Sequence, residues 1–266
     1  MLEIKNLNKH FGKTCAIDQF SLVMEEGEMI GVIGRSGAGK STLLRLINRL
    51  VEPSSGEITF KGTDICSLRG RQLRDWRSKC AMIFQQFNLV NRLDVLVNVL
   101  IGRLTHQNSF LNLLKVFPKA DKRMAIEALD KLGMADYAFQ RADTLSGGQQ
   151  QRVAITKALV QEPEILLGDE PIASLDPGNA TLVMDALQTI NREYGISVIC
   201  NLHHLETAKK YCNRIIGMHA GRIVFDGSPQ ALDLETAGRI YGADGLDELY
   251  ESNADSSPDL PQKTVA

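Results

Sequence analysis

The stretch Met29-Ile30-Gly31-Val32-Ile33-Gly34-Arg35-Ser36-Gly37-Ala38-Gly39-Lys40-Ser41-Thr42-Leu43-Leu44 decides the fold. Its first five residues are a short apolar run that suits a buried strand. The run breaks into Gly34-Arg35-Ser36-Gly37-Ala38-Gly39-Lys40-Ser41, which matches G-x-x-x-x-G-K-[ST]. Leu43, Leu44, Leu46 and Ile47 then recur at helical spacing. Strand, glycine loop and helix in this order make a phosphate cradle. Glycines let the backbone curl so that successive N–H groups face phosphate oxygens, and the helix adds the positive end of its dipole. Lys40 has the reach for the β- and γ-phosphates of a nucleotide, and the Ser41 hydroxyl can ligate Mg2+. A mere flexible turn would not need the flanking strand and helix. The motif specifies a P-loop NTPase and leaves GTPases, kinases, helicases and transport ATPases open.

Outward from the loop, residues 2–23 read as short strand segments around a turn at Phe11-Gly12-Lys13. Residues 56–66 alternate like a strand, and residues 72–160 read as mostly helical, with an apolar insert, SFLNLLKVF, at 109–117. Ile165-Leu166-Leu167 and residues 196–200 are short buried strands separated by a helix near 179–193. Residues 215–218 and 222–225 pattern as a hairpin turning at His219-Ala220-Gly221. Strands alternating with helices predict an α/β fold with a parallel sheet. There is no internal repeat, and the polar, Pro- and Ser-containing stretch 251–266 is expected to be disordered.

Composition narrows the class. The 266 residues are 44% hydrophobic and 23% charged with a net charge of −2, which is ordinary for a globular protein and gives no basic patch for nucleic acid. The longest apolar run, residues 95–101, includes Asn98 and falls well short of the roughly 18 residues a bilayer crossing needs. The first ten residues carry charges where a signal peptide would be apolar. Five scattered cysteines without CxxC spacing fit a reducing cytosol.

Two further peptides complete the chemistry. Ile165-Leu166-Leu167-Gly168-Asp169-Glu170 is an apolar strand ending in two carboxylates, at the edge where open α/β sheets bind ligands. Asp169 suits a Mg2+ ligand, and Glu170 is placed to orient the attacking water. Leu145-Ser146-Gly147-Gly148-Gln149 opens a helix at 150–159: a serine hydroxyl, exposed glycine N–H groups and a helix dipole make a second anion-binding start.

The order of these three elements resembles the ABC ATPase family over about residues 2–227. The resemblance implies a RecA-like core, an N-terminal antiparallel β subdomain and an α-helical signature subdomain at about 86–160. It places the ATP-binding domain at 2–245 and a tail at 246–266. It also implies a homodimer sandwiching two ATP molecules, with Ser146, Gly147, Gly148 and Gln149 of one chain facing the nucleotide on Lys40 and Thr42 of the other. By the same resemblance, Gln85 is the glutamine sensing Mg2+ and the γ-phosphate. Asp176, in Ser174-Leu175-Asp176, crosses the dimer interface, and Phe11 stacks on adenine. In the frame Asn201-Leu202-His203-His204, His203 is the switch histidine.

GRSGAGKSTLLRLINRLVEPSSGEI, IFQQFNLVNRLDVLVNVLIGRL, QRADTLSGGQQQRVAI and GDEPIASLDP together resemble the phosphonate-import ATP-binding subfamily, as does the insert SFLNLLKVFPKADK. Phe110, Leu111, Leu114 and Phe117 of the insert are candidates for a docking surface or for helical-hairpin packing. The implied partners are two transmembrane permease subunits and an extracytoplasmic solute-binding protein, at the cytoplasmic face of the cell membrane. Gly168 departs from the usual Ala of this group, and Thr156-Lys157 from the usual Ala-Arg; the segment after Gly227 matches poorly. Phosphite is an alternative cargo. An importer for amino acids or phosphate, a non-transport ABC ATPase and a silent scaffold are the rival functions. A single cassette with no heptad run weighs against the second, and intact Lys40, Asp169, Glu170 and His203 against the third.

Overall fold

Two β-sheets carry the chain in the computed structural model, which describes residues 1–106 and 117–242. The first is antiparallel, in the order β2-β1-β4-β5, from β1 (Leu2–Phe11), β2 (Thr14–Met24), β4 (Ser55–Phe60) and β5 (Thr63–Asp64). The second, in the order β10-β9-β3-β8-β7-β6, comprises β3 (Met29–Ile33), β6 (Cys80–Ile83), β7 (Ile165–Asp169), β8 (Ser197–Asn201), β9 (Arg214–His219) and β10 (Arg222–Gly227). Its strands are parallel except for β10, which closes a hairpin on β9. That hairpin turns through Ala220 and Gly221, both at positive φ, as a two-residue primed turn requires.

All residues of β3, β7 and β8 are buried, because helices and the first sheet cover both faces. Side chains alternate between two cores. Ile30, Val32, Ile165, Leu167 and Ile199 face the first sheet and α1 (Lys40–Ile47). Met29, Ile33, Leu166, Val198 and Cys200 pack on the opposite face. That face is covered by α6 (Pro177–Tyr194), α7 (Leu205–Tyr211) and α8 (Leu234–Tyr241). α2 (Gly70–Lys79) brings Trp76 to the first core.

A third cluster has little to do with either sheet. It joins Val95 and Val99 of α3 (Val95–Leu100), Ala125 and Leu129 of α4 (Lys119–Lys131) and Val153 of α5 (Gly147–Leu159). Asn98, fully buried, knits the loop before it by hydrogen-bonding both the N–H and the carbonyl of Val90 and the carbonyls of Leu93 and Asp94.

The structure departs from the sequence pattern at three places. The stretch read as mostly helical contains β6, the edge strand beside β7. Four residues without alternation do not separate a strand from a helical turn. Residues 56–66 are two strands, since Lys61 and Gly62 both take positive φ and turn the chain. The helix read from 150 starts earlier, at Gly147. Phe117 packs half-buried against the third cluster, whereas Phe110, Leu111, Leu114 and residues 243–266 lie outside the described residues. Among the described residues no helix is long and apolar enough to cross a membrane.

Candidate active site

The carboxyl ends of β3, β8 and β7 lie side by side, with Val32 registered on Asn201 and Asn201 on Asp169. Side-chain alternation decides what meets there. Asp169 follows Ile165 and Leu167, and Asn201 follows Ile199, so both turn to the α1 side. Ser41, in the first turn of α1, donates its hydroxyl to Asp169 Oδ1 at 2.6 Å, and Asn201 Nδ2 donates to the same oxygen at 2.8 Å. Arg45 Nη2 stands 3.6 Å from Asp169 Oδ2.

The phosphate loop fits its neighbours only with glycine at two positions. A Cβ on Gly34 (φ +151°) would sit 2.3 Å from the Met218 carbonyl oxygen, and one on Gly39 (φ +101°) 2.4 Å from that of Ala16. Gly39 also leaves the N-terminus of α1 without a side-chain cap, so its N–H groups are free to meet an anion. Arg35, Ser36 and Gly37 are exposed and Ala38 is buried beneath them. Lys40 is buried and donates to the carbonyls of Gly34 at 2.6 Å and Arg35 at 3.2 Å. Burial pulls its ammonium below the usual lysine range, and the charges of Glu170 and Asp169 oppose that pull.

One residue past β7, Glu170 adopts φ +54°, a strained conformation for a residue with a side chain. Its Oε1 lies 2.7 Å from His203 Nε2. His204 instead provides the backbone cap of α7. Of the two adjacent histidines, then, His203 is the one that reaches the carboxylate. Gln85 is exposed two residues beyond Ile83, which pairs with Gly168, so it emerges on the same sheet edge as Glu170. The loop after it is held to α5 by Lys157 Nζ, which donates to the Asn88 carbonyl at 2.8 Å. Phe11 is half-exposed at the end of β1, with Lys9 Nζ 4.8 Å from its ring centre. It pairs with Thr14 across the hairpin whose second strand brings Ala16 to the phosphate loop.

The serine-glycine turn has its own supports. Ser146 and Gln149 form a reciprocal capping box, with Ser146 N donating to Gln149 Oε1 at 2.8 Å and Gln149 N to Ser146 Oγ at 3.4 Å. Ser146 and Gly147 are exposed, while Gly148 is pressed so closely on Asn179 that a Cβ would lie 2.3 Å from Asn179 Oδ1. Asn179 in turn donates its N–H and its amide to the Asp176 carboxylate at 3.0 and 2.5 Å, holding that carboxyl below the usual range. The start of α5 and Asp176 are thus tied together through one amide.

Asn201 and Asn179 are the residues that sequence reasoning missed. Asn201 stood in the quoted frame beside His203, but its reach to Asp169 depends on strand order, which no local pattern carries. Its Oδ1 is buried and has no hydrogen-bond partner among the described residues. The Ser41 hydroxyl and the Asp169 carboxylate that it meets are hard oxygens, which suit Mg2+, and the Asn201 amide N–H fixes that carboxylate.

Residues 17–173 match the family model described as ABC transporter. The chain is 56% identical over 258 residues to the Phosphonates import ATP-binding protein PhnC of Rhizobium johnstonii, covering 96% of this chain and 92% of that one. It is 55% identical over 266 residues to PhnC 1 of Rhodopseudomonas palustris, covering 100% and 98%. Among solved structures it is similar to the dimeric post-hydrolysis ATP-binding cassette MJ0796 bound to ADP and Pi, with a TM-score of 0.76, 31% identity and 87% and 100% of the two chains covered. The ADP conformation of the cassette MJ1267 aligns with a TM-score of 0.79 at 27% identity, covering 94% and 98%.

Proposed function

The chain belongs to the ABC transporter family, and from that premise we propose that it is the ATP-hydrolysing subunit of a phosphonate importer. The observation that carries the hydrolytic part is the 2.7 Å contact of Glu170 with His203, one residue beyond the carboxylate that Ser41 and Asn201 hold. The cargo rests on relatives more than 50% identical over nearly the whole chain, which are named as phosphonate import proteins.

ATP binds with its phosphates over the loop 34–41, on the uncapped start of α1. Lys40 exchanges the carbonyls of Gly34 and Arg35 for oxygens of the β- and γ-phosphates. Ser41 and Asp169, with Gln85 at the neighbouring strand end, would hold Mg2+, which would neutralise charge on the phosphates. Glu170 takes up the attacking water and accepts its proton, and His203 fixes the carboxylate in that posture. Phe11 stacks on the adenine.

The exposed turn Ser146-Gly147 is already capped internally, which leaves its outer face for a nucleotide held by a second copy, a reading that the similarity to a dimeric cassette supports. Two chains therefore close on two ATP molecules, with Asp176 at the seam. Residues 2–245 form the ATP-binding domain and 86–160 its helical lobe. The dimer works at the cytoplasmic face of the membrane on two permease subunits, which receive cargo from an extracytoplasmic binding protein.

The test is ATP turnover by the chain reconstituted with its permease and binding protein. Phosphonate is expected to stimulate turnover. Stimulation by phosphite alone reassigns the cargo within phosphorus oxyanions, and stimulation by an amino acid alone removes the phosphonate assignment.

A further inference from the structure

Tyr241 ends α8, beyond Gly227, where the resemblance read from the sequence stops. It is 7% exposed, and its hydroxyl donates to the backbone carbonyl of His203 at 3.3 Å. Burial raises its pKa, so the phenol stays protonated and remains a donor.

The helix that delivers this hydroxyl is held at both ends. At its start Asp233 accepts the Thr236 N–H at 2.8 Å. Near its end Ile240 occupies space that only a glycine on β9 leaves open, since a Cβ on Gly217 would sit 2.4 Å from Ile240 Cδ1. His219 Nδ1, also on β9, lies 3.3 Å from the Ile240 carbonyl oxygen. One residue past Tyr241, Gly242 approaches the phosphate loop, its Cβ position being 3.5 Å from Arg35 Nη1.

On the other side, His203 hangs between two fixed points. Leu202 N donates to the Val32 carbonyl at 3.0 Å, and the His204 carbonyl receives the Ala208 N–H at 3.2 Å. The peptide between them sets the direction of the imidazole, whose Nε2 meets Glu170. Tyr241 grips the carbonyl of that peptide.

We propose that Tyr241 is a positioning residue for ATP hydrolysis, holding the His203 backbone so that the imidazole keeps Glu170 in place. The proposal rests on the reading that Glu170 and His203 serve hydrolysis. It assigns the C-terminal helix a part in the active site without contact to nucleotide.

Tyr241→Phe keeps the ring in its core and removes only the hydroxyl. In the full chain kcat for ATP should fall about three- to tenfold, the range that one neutral hydrogen bond commands. KM for ATP should stay at the wild-type value, and the melting temperature should fall by no more than about 2–4 °C, the cost of one hydrogen bond. Introduced into His203→Ala, the same substitution should leave the residual rate where His203→Ala alone puts it, because the group being positioned is gone. Wild-type kcat in Tyr241→Phe, an equal loss in both backgrounds, or a loss that travels with ATP affinity and a larger fall in melting temperature overturns the proposal. Wild-type turnover in His203→Ala overturns the underlying reading, and the proposal with it, in a measurement that does not involve Tyr241.

Discussion

His203 Nε2 and Glu170 Oε1 lie 2.7 Å apart, each just beyond the end of one of two adjacent parallel strands. Register makes this contact: Asp169 pairs with Asn201, so the residues that follow leave the sheet together. The positive φ of Glu170 turns its carboxylate off the line of β7, a strain that neighbouring contacts must sustain.

Glu170→Gln tests what the carboxylate does. The amide keeps the shape but no longer accepts a proton from water, so turnover should drop by about 10²–10⁴ while ATP binding survives. Single-turnover hydrolysis and equilibrium nucleotide binding, measured on the same sample, separate the two. Unchanged hydrolysis removes Glu170 from its assigned role.

The shared-site arrangement makes a sharper demand. Lys40→Ala disables the phosphate loop, and Ser146→Arg blocks the serine-glycine turn. Each variant alone should be inactive. A mixture should recover activity only through heterodimers that pair an intact loop with an intact turn, at most one site in each. Full activity in either variant alone contradicts a nucleotide held between two chains.

Asn201 gives a test of the metal site that is independent of the hydrolytic carboxylate. Its amide shares Asp169 Oδ1 with Ser41. Asn201→Ala leaves Asp169 oriented by fewer partners and should raise the Mg2+ concentration for half-maximal ATPase by about tenfold or more. Nucleotide binding without Mg2+ should change little. An unaltered Mg2+ requirement means that Asp169 is held without the amide.

How much of this was legible beforehand follows from where the information sits. Residues 34–41 announce themselves because the chemistry is local: loop, helix start, lysine and serine are contiguous. Asp169 and Glu170 are legible as a strand end, and the pattern at Ser146 as a helix start. What the sequence does not display is adjacency between strands far apart along it. Asn201 reaches Asp169 because β8 lies between β3 and β7, and Tyr241 reaches His203 because Gly217 leaves room for Ile240. β6 escaped notice because an edge strand of four residues leaves almost no periodic signal.

The same logic explains Gly168, where the resembling group usually carries Ala. A Cβ at this position would stand 2.9 Å from Cys200 Sγ and 3.3 Å from Pro171 Cγ. Cys200, registered directly on Gly168 and fully buried, takes up the room a methyl group would need. Gly168→Ala alone should therefore destabilise the fold by about 1–3 kcal/mol through overpacking. Cys200→Ala alone should lose packing around the vacated sulfur position. Together they should cost less than the sum, since the new methyl enters the space the sulfur leaves, giving a coupling of about 0.5–3 kcal/mol between contacting residues. Denaturant melts of the four proteins measure it. Strict additivity would mean that the two sites relax independently, and that the glycine answers to Pro171 rather than to the thiol.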